Sequence, residues 1–194
     1  MKPKIIAAAA VAAVVATFAS GALAQFESTD TSPLGVGITI FRPSGTELKD
    51  LNDNWLGATL QLHAKRDELG RPTALFSLGW FAADKTGGRA SFVPVGFTMV
   101  KRFGVGETCW YVSGGLDVFF AHFEGVGLDP ASFQYAWMSD NGTKFGYNLA
   151  FGREFGAGWF VEAKRDSIAK LSLKSGGSVD FSGWSITIGS RLAY

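Results

Sequence analysis

Cysteine, histidine and long apolar runs are scarce in this chain, and each shortage removes a class of explanation. Cys109 is the only cysteine in 194 residues, so neither an intramolecular disulfide framework nor a cysteine-based metal site can form. As a nucleophile it would need a base beside it; the plainer reading is a small apolar side chain at the start of a strand. His63 and His122 are the only histidines, and no His, Cys or carboxylate pair shows metal-ligand spacing. Asp50, Asp53, Asp129 and Asp140 read as solvated loop residues rather than calcium ligands. No glycine-rich phosphate cradle opens a helix, and the GVG of residues 125–127 falls in a loop. The expectation is therefore no cofactor and no metal. Beyond residue 24 no stretch approaches eighteen apolar residues, which excludes a spanning helix. An excess of one charge is also missing. Without Lys2 and Lys4 the chain holds 16 basic residues against 17 acidic ones, so nothing points to nucleic acid.

What is present starts at the amino terminus. Lys2 and Lys4 precede an apolar run over residues 5–18, and Ala22, Leu23 and Ala24 follow before Gln25. That order predicts a secretory signal peptide, residues 1–24, cleaved after Ala24. Removing it leaves 170 of the 194 residues: a short segment, 25–33, and one domain, 34–194. Aromatic and glycine-rich composition, with 17 Phe, 6 Trp and 25 Gly, favours an all-β chain.

Eight segments alternate with a period of two, as strands with two unlike faces do. They are residues 34–42, 55–66, 73–84, 91–103, 110–123, 145–155, 158–166 and 181–194. The last one shows the pattern plainly. Trp184, Ile186, Ile188, Leu192 and Tyr194 share one face, with Ser190 interrupting; Gly183, Ser185, Thr187, Gly189 and Arg191 share the other. Trp184 and Tyr194 are ten residues apart, and about 9–11 tilted strand residues cross a bilayer. Aromatics at both ends of the apolar face then lie at the two headgroup levels.

The connections between segments also sort. Those over 67–72, 104–109 and 156–157 are short; those over 43–54, 85–90, 124–144 and 167–180 are mostly longer. Tight turns at one end and elaborated loops at the other are expected of an outer-membrane barrel. With odd strands running outward, Trp80, Phe120, Phe145, Tyr147 and Trp184 form an outer aromatic girdle. Phe103, Trp110, Tyr111, Trp159 and Tyr194 form an inner one. In the first long loop, residues 46–52 suit a turn of helix capped by Thr46. The predicted fold is an eight-stranded antiparallel up-and-down transmembrane β-barrel.

Three stretches, FVPVGFTMVKRFGVGETCWYVSGGLDVFF from Phe92, GYNLAFGREFGAGWFVEAKRD from Gly146 and WSITIGSRLAY from Trp184, resemble the OmpA/OmpX/OmpW-type outer-membrane β-barrel superfamily. The resemblance implies residence in the outer membrane of a two-membraned bacterium, with the lipid bilayer and the outer-membrane assembly machinery as partners. It also implies that the closing strand, ending in Tyr194, is the assembly signal. By stopping at the barrel the chain departs from full-length OmpA-like proteins, and no peptidoglycan-binding domain is expected.

The inward face gathers His63, Lys65, Arg102, Asp117, Glu154, Glu162, Lys164 and Arg191. Both signs in near balance suit ion pairs filling a lumen only wide enough for side chains. Some barrels of this size deacylate lipid A with a serine closely following a histidine on a strand. Here Ala64 and Lys65 follow His63, and Phe123 and Glu124 follow His122, so that serine is missing. The expected role is structural or interactive, without catalysis. The longest loop, 124–144, offers Phe133, Tyr135, Trp137 and Met138 either to a partner or as a cap on the mouth. Passive passage or binding of a small hydrophobic compound, as in OmpW-like proteins, is the first alternative, and a lipid A-modifying enzyme the second.

Overall fold

In this computed structural model the described residues are 34–68, 71–104, 108–128 and 134–191. The expected signal peptide (1–24), the expected segment 25–33, and Asp129, Phe133, Leu192 and Tyr194 lie outside them.

Alternation decides the architecture. In chain order the elements are β1 (Leu34–Pro43), α1 (Thr46–Leu51), β2 (Trp55–Arg66), β3 (Pro72–Lys85), β4 (Gly88–Phe103), β5 (Cys109–Leu128), β6 (Tyr135–Glu154), β7 (Trp159–Ile168), β8 (Leu171–Ser172), β9 (Ser178–Val179) and β10 (Gly183–Arg191). Eight strands close into an antiparallel barrel in the order β1-β10-β7-β6-β5-β4-β3-β2, while β8 and β9 form a separate two-stranded hairpin. Barrel closure joins β10 to β1 through Ile38↔Ile188 and Ile40↔Ile186, the pairing the sequence predicts for the last strand. Along β10, Gly183, Ser185, Thr187, Gly189 and Arg191 are buried while Trp184, Ile186 and Ile188 are exposed. An eight-stranded lumen holds side chains and little else.

Aromatic side chains enter so narrow a lumen because glycines face them. Phe81 lies directly across from Gly57, and Tyr111 across from Gly152. A Cβ at either glycine would collide with the opposing ring. Gly152→Val is therefore expected to push Tyr111 off its hydrogen bond to Glu162. A loss of about 1–3 kcal/mol in urea unfolding from lipid vesicles would register it; an unchanged midpoint would contradict the packing argument.

Three predicted features differ. The connection over 85–90 is a two-residue turn, Thr86-Gly87, and Gly87 has φ 104°, a backbone conformation that glycine adopts without a steric penalty. The stretch 124–144 is mostly strand, since β5 and β6 stay paired as far as Leu128↔Tyr135. Above the apolar belt both faces of a hairpin meet polar surroundings. The sequence there (YAWMSDNGTK) accordingly loses its alternation and reads as loop, although the backbone ladder continues. Thr46 is the first helical residue rather than the cap: Gly45 occupies that position and no side chain caps the helix.

Candidate functional site

The lumen has three levels, set by which residue types the inward parity of each strand delivers. At the level of the chain's carboxyl-terminal end, Glu154 of β6 gathers three partners. Arg102 of β4 donates through Nε to Oε2 at 2.7 Å and through Nη2 to Oε1 at 2.6 Å, a bidentate geometry suited to carboxylates. Arg191 of β10 donates through Nη1 to the same Oε1, and Cys109 Sγ donates to Oε2 at 3.1 Å. The Arg191 guanidinium also rests 4.5 Å from the Phe160 ring centroid and 5.5 Å from that of Tyr111. Tyr111 Oη in turn donates to Glu162 Oε2 at 3.0 Å. His63 is buried beside this cluster, with Arg66 Nη2 3.5 Å from its Nδ1.

The middle level is polar. Lys164 Nζ lies 3.0 Å from Asp166 Oδ1. Asn148 Nδ2 donates to Asp117 Oδ2 at 2.6 Å, and the hydroxyls of Thr39 and Thr187 meet at 2.8 Å. Between these groups remains a cavity with about 40 Å³ of room for water centres, bordered by Thr59, Gln61, Ser113 and Lys164 among others. That is space for a few water molecules.

The third level is apolar. Phe92 centres a ring cluster, with centroids 4.8 Å from Phe81, 5.0 Å from Phe41, 5.8 Å from Phe181 and 6.0 Å from Trp55. Leu48 of α1 and Leu171 and Val179 of the β8–β9 hairpin are buried against the same cluster. Trp55 Nε1 donates to Asn52 O at 2.9 Å, anchoring the end of α1. Lys174 N donates to Asp140 Oδ1 at 3.2 Å, anchoring the β8–β9 hairpin to β6. Asp140 is thus buried rather than solvated. The mouth is capped by these elements, whereas Tyr135 and Trp137 point away from it and are exposed.

Among the predicted lumen residues, His63, Asp117, Glu154, Glu162 and Arg191 are buried, and Lys164 is partly so. Lys65 is a correction: it is exposed. The β2–β3 register shifts between His63 and Lys65 and back again between Lys65 and Arg66, and this local irregularity breaks the alternation at Lys65. Tyr111 is another correction, since it is wholly buried in the lumen and not in a girdle. Sequence parity overlooked the aromatic plug; the cross-strand aromatic–glycine pairs are the signal that could have revealed it. Of the closing-strand set, Trp184, Ile186 and Ile188 face outward.

The outer surface is apolar around the barrel: Ile38, Leu56, Phe76, Met99, Leu116 and Leu149 are all well exposed. A continuous apolar belt of this kind is foreign to water-facing surfaces. Trp110 and Phe120, ten residues apart on β5, are both outward. Tilted strand residues at about 3.4 Å each put them at the edges of a band about 25 Å tall.

The barrel of Neisserial surface protein A matches this chain with a TM-score of 0.53 at 8% identity, over 83% of this chain and 96% of that one. The fold is that of the small outer-membrane β-barrels. The amino-terminal barrel domain of Pseudomonas aeruginosa OprF matches at a TM-score of 0.45 and 14% identity, covering 82% of this chain and 99% of that one. Ail, the attachment invasion locus protein of Yersinia pestis, matches at 0.41 and 14%, covering 82% and 96%. No protein-family model matches the chain, and no curated protein does. The expected eight-stranded outer-membrane-type barrel is thus borne out in the fold.

Proposed function

We propose that this protein is an outer-membrane barrel with a structural and surface-interaction role, exported by its cleaved signal and inserted by the assembly machinery through its closing strand. The observation that carries the reading is a lumen occupied at both ends by the protein's own side chains. Beyond it rises the paired β5–β6 hairpin, whose Val126, Tyr135 and Trp137 are exposed. Pairing of β6 with β7 begins only at Gly146↔Ile168. Above that point, from residue 145 up to Tyr135, the β6 edge offers backbone groups to a partner, with Ala169 and Lys174 bonding to it near its base.

The alternatives draw less support from the geometry. The middle cavity is lined by Leu75 and Phe81 as well as by hydroxyls, amides and charges, and at about 40 Å³ it has room for a few waters rather than for a small hydrophobic compound. His122 directs Nε2 to Glu124 Oε1 at 3.1 Å and Nδ1 to Asn141 Oδ1 at 2.5 Å. Both ring nitrogens are engaged, and a serine nucleophile would need one of them.

Fractionation and electrical recording test the proposal together. The protein should sediment with the outer membrane, migrate differently on a denaturing gel when boiled, and leave a planar bilayer silent under applied voltage. A soluble periplasmic protein, or steady single-channel steps, would overturn it.

A further inference from the structure

Three adjacent strands place an unusual row on the outer rim. In the antiparallel register Trp184 of β10 stands opposite Arg42 of β1 and opposite Arg165 of β7. Residues directly opposite on neighbouring strands share a face, and Trp184 is 58% exposed, so all three point out of the barrel. The level is the apolar belt's upper edge, where aromatic side chains mark the headgroup region.

The two arginines are held differently from Arg89 on the opposite rim. Arg165 lays its guanidinium 5.6 Å from the Trp184 ring centroid and donates Nη1 to Ser44 Oγ at 2.6 Å. A guanidinium carries five N–H donors, so this fixes its orientation and leaves most of them over. Arg42 is exposed. Among the described residues, neither arginine forms an ion pair with a carboxylate. Across the barrel the opposite holds: Arg89 Nε is 2.9 Å from Glu124 Oε2, and His122 pairs with that same carboxylate. Arg89 on the β4–β5 side is therefore neutralised by a carboxylate, whereas Arg42 and Arg165 on the β1–β10–β7 side are not.

We infer that Arg42, Trp184 and Arg165 form a binding site for the phosphorylated headgroup of an outer-leaflet lipid. The inference rests on the membrane reading above. Two strand spacings of about 4.8 Å separate the arginine backbones by about 10 Å, within reach of two flexible side chains converging from either side of the indole. Planar guanidinium groups suit bidentate recognition of phosphate. Below the row, Ile186, Ile188, Ile38 and Ile40 present an aliphatic wall along which acyl chains can lie, so one lipid meets phosphate recognition and apolar contact on the same strands. An acidic protein segment would use the guanidinium groups and leave that wall uncovered.

The test is lipid retention by the folded full-length barrel in nonionic detergent, read by native mass spectrometry. The probes are bis-phosphorylated lipid A, its dephosphorylated form, phosphatidylcholine and inorganic phosphate. The parent protein should retain the phosphorylated lipid over the dephosphorylated one by about tenfold or more. Arg42→Gln combined with Arg165→Gln should remove that preference, while Arg89→Gln on the opposite rim should keep it. Equal retention of both lipid A forms by the parent would overturn the inference without any variant being needed. So would a double variant that folds, by its heat-shifted gel mobility, and still discriminates. Displacement of the lipid by millimolar inorganic phosphate would reassign the site to free phosphate. A protein that fails to insert into vesicles defeats the membrane reading itself, whereas one that inserts without discriminating defeats only this site.

Discussion

Glu154→Ala is expected to destabilise the barrel by about 3–5 kcal/mol, the cost of stripping a buried ion cluster of its counter-charge. Glu154 is the carboxylate common to Arg102 and Arg191, which are 5% and 0% exposed through their side chains. Its removal leaves two guanidinium groups facing each other without a shared anion. Cys109 and Tyr111 cannot compensate, because both meet the cluster through a neutral donor group. The measurement is urea unfolding of the barrel from phospholipid vesicles, followed by tryptophan fluorescence. Glu154→Gln should recover only part of the loss, because an amide keeps the volume and one acceptor but not the charge. A variant carrying Glu154→Leu with both Arg102→Met and Arg191→Met should do better than Glu154→Ala, since apolar replacement of a whole buried ion group is often neutral. If Glu154→Ala unfolds at the parent's urea concentration, the cluster is not what holds the lower lumen together.

Phe92→Ala is expected to cost about 3–5 kcal/mol as well, for a different reason. Its ring touches five others: Phe41, Trp55, Phe81, Phe119 and Phe181. They come from β1, β2, β3, β5 and the segment leading into β10, so one truncation opens a hole shared by most of the barrel wall. The surrounding rings are themselves constrained by backbone, which limits collapse into the void. The same urea experiment reads the stability. Bilayer recording should find the variant still silent, because the Glu154 cluster closes the other end of the lumen independently. A variant as stable as the parent would mean that the rings fill space without cohesion.

Most of the barrel was legible in the sequence because burial forces a period of two wherever one face meets lipid. Six of the eight strands were bounded within about three residues on that basis. Where lipid ends, so does the constraint: the upper halves of β5 and β6 carry Asn141, Gly142 and Asp140 and look like loop, although their ladder runs on to Leu128 and Tyr135. Lys65 was misplaced because the two register shifts that flank it leave no trace in composition, and alternation does not hold between them. The ion cluster was foreseeable as a set of inward charges. Which carboxylate would gather two arginines was not, since that depends on heights around the barrel fixed by strand stagger. The aromatic plug was hidden by its own parity. Phe81 stands as an irregularity on a polar face until its partner Gly57 is known, and only register supplies the partner.

The stoppering of the lumen has a cellular corollary. Ordinary pores tie expression to leakiness, since each added copy also admits toxic solutes and dissipates gradients. A barrel filled by arginine and glutamate below and by phenylalanine above breaks that tie. Under the role proposed above, its abundance rises with the demand for displayed surface without adding an open path through the envelope.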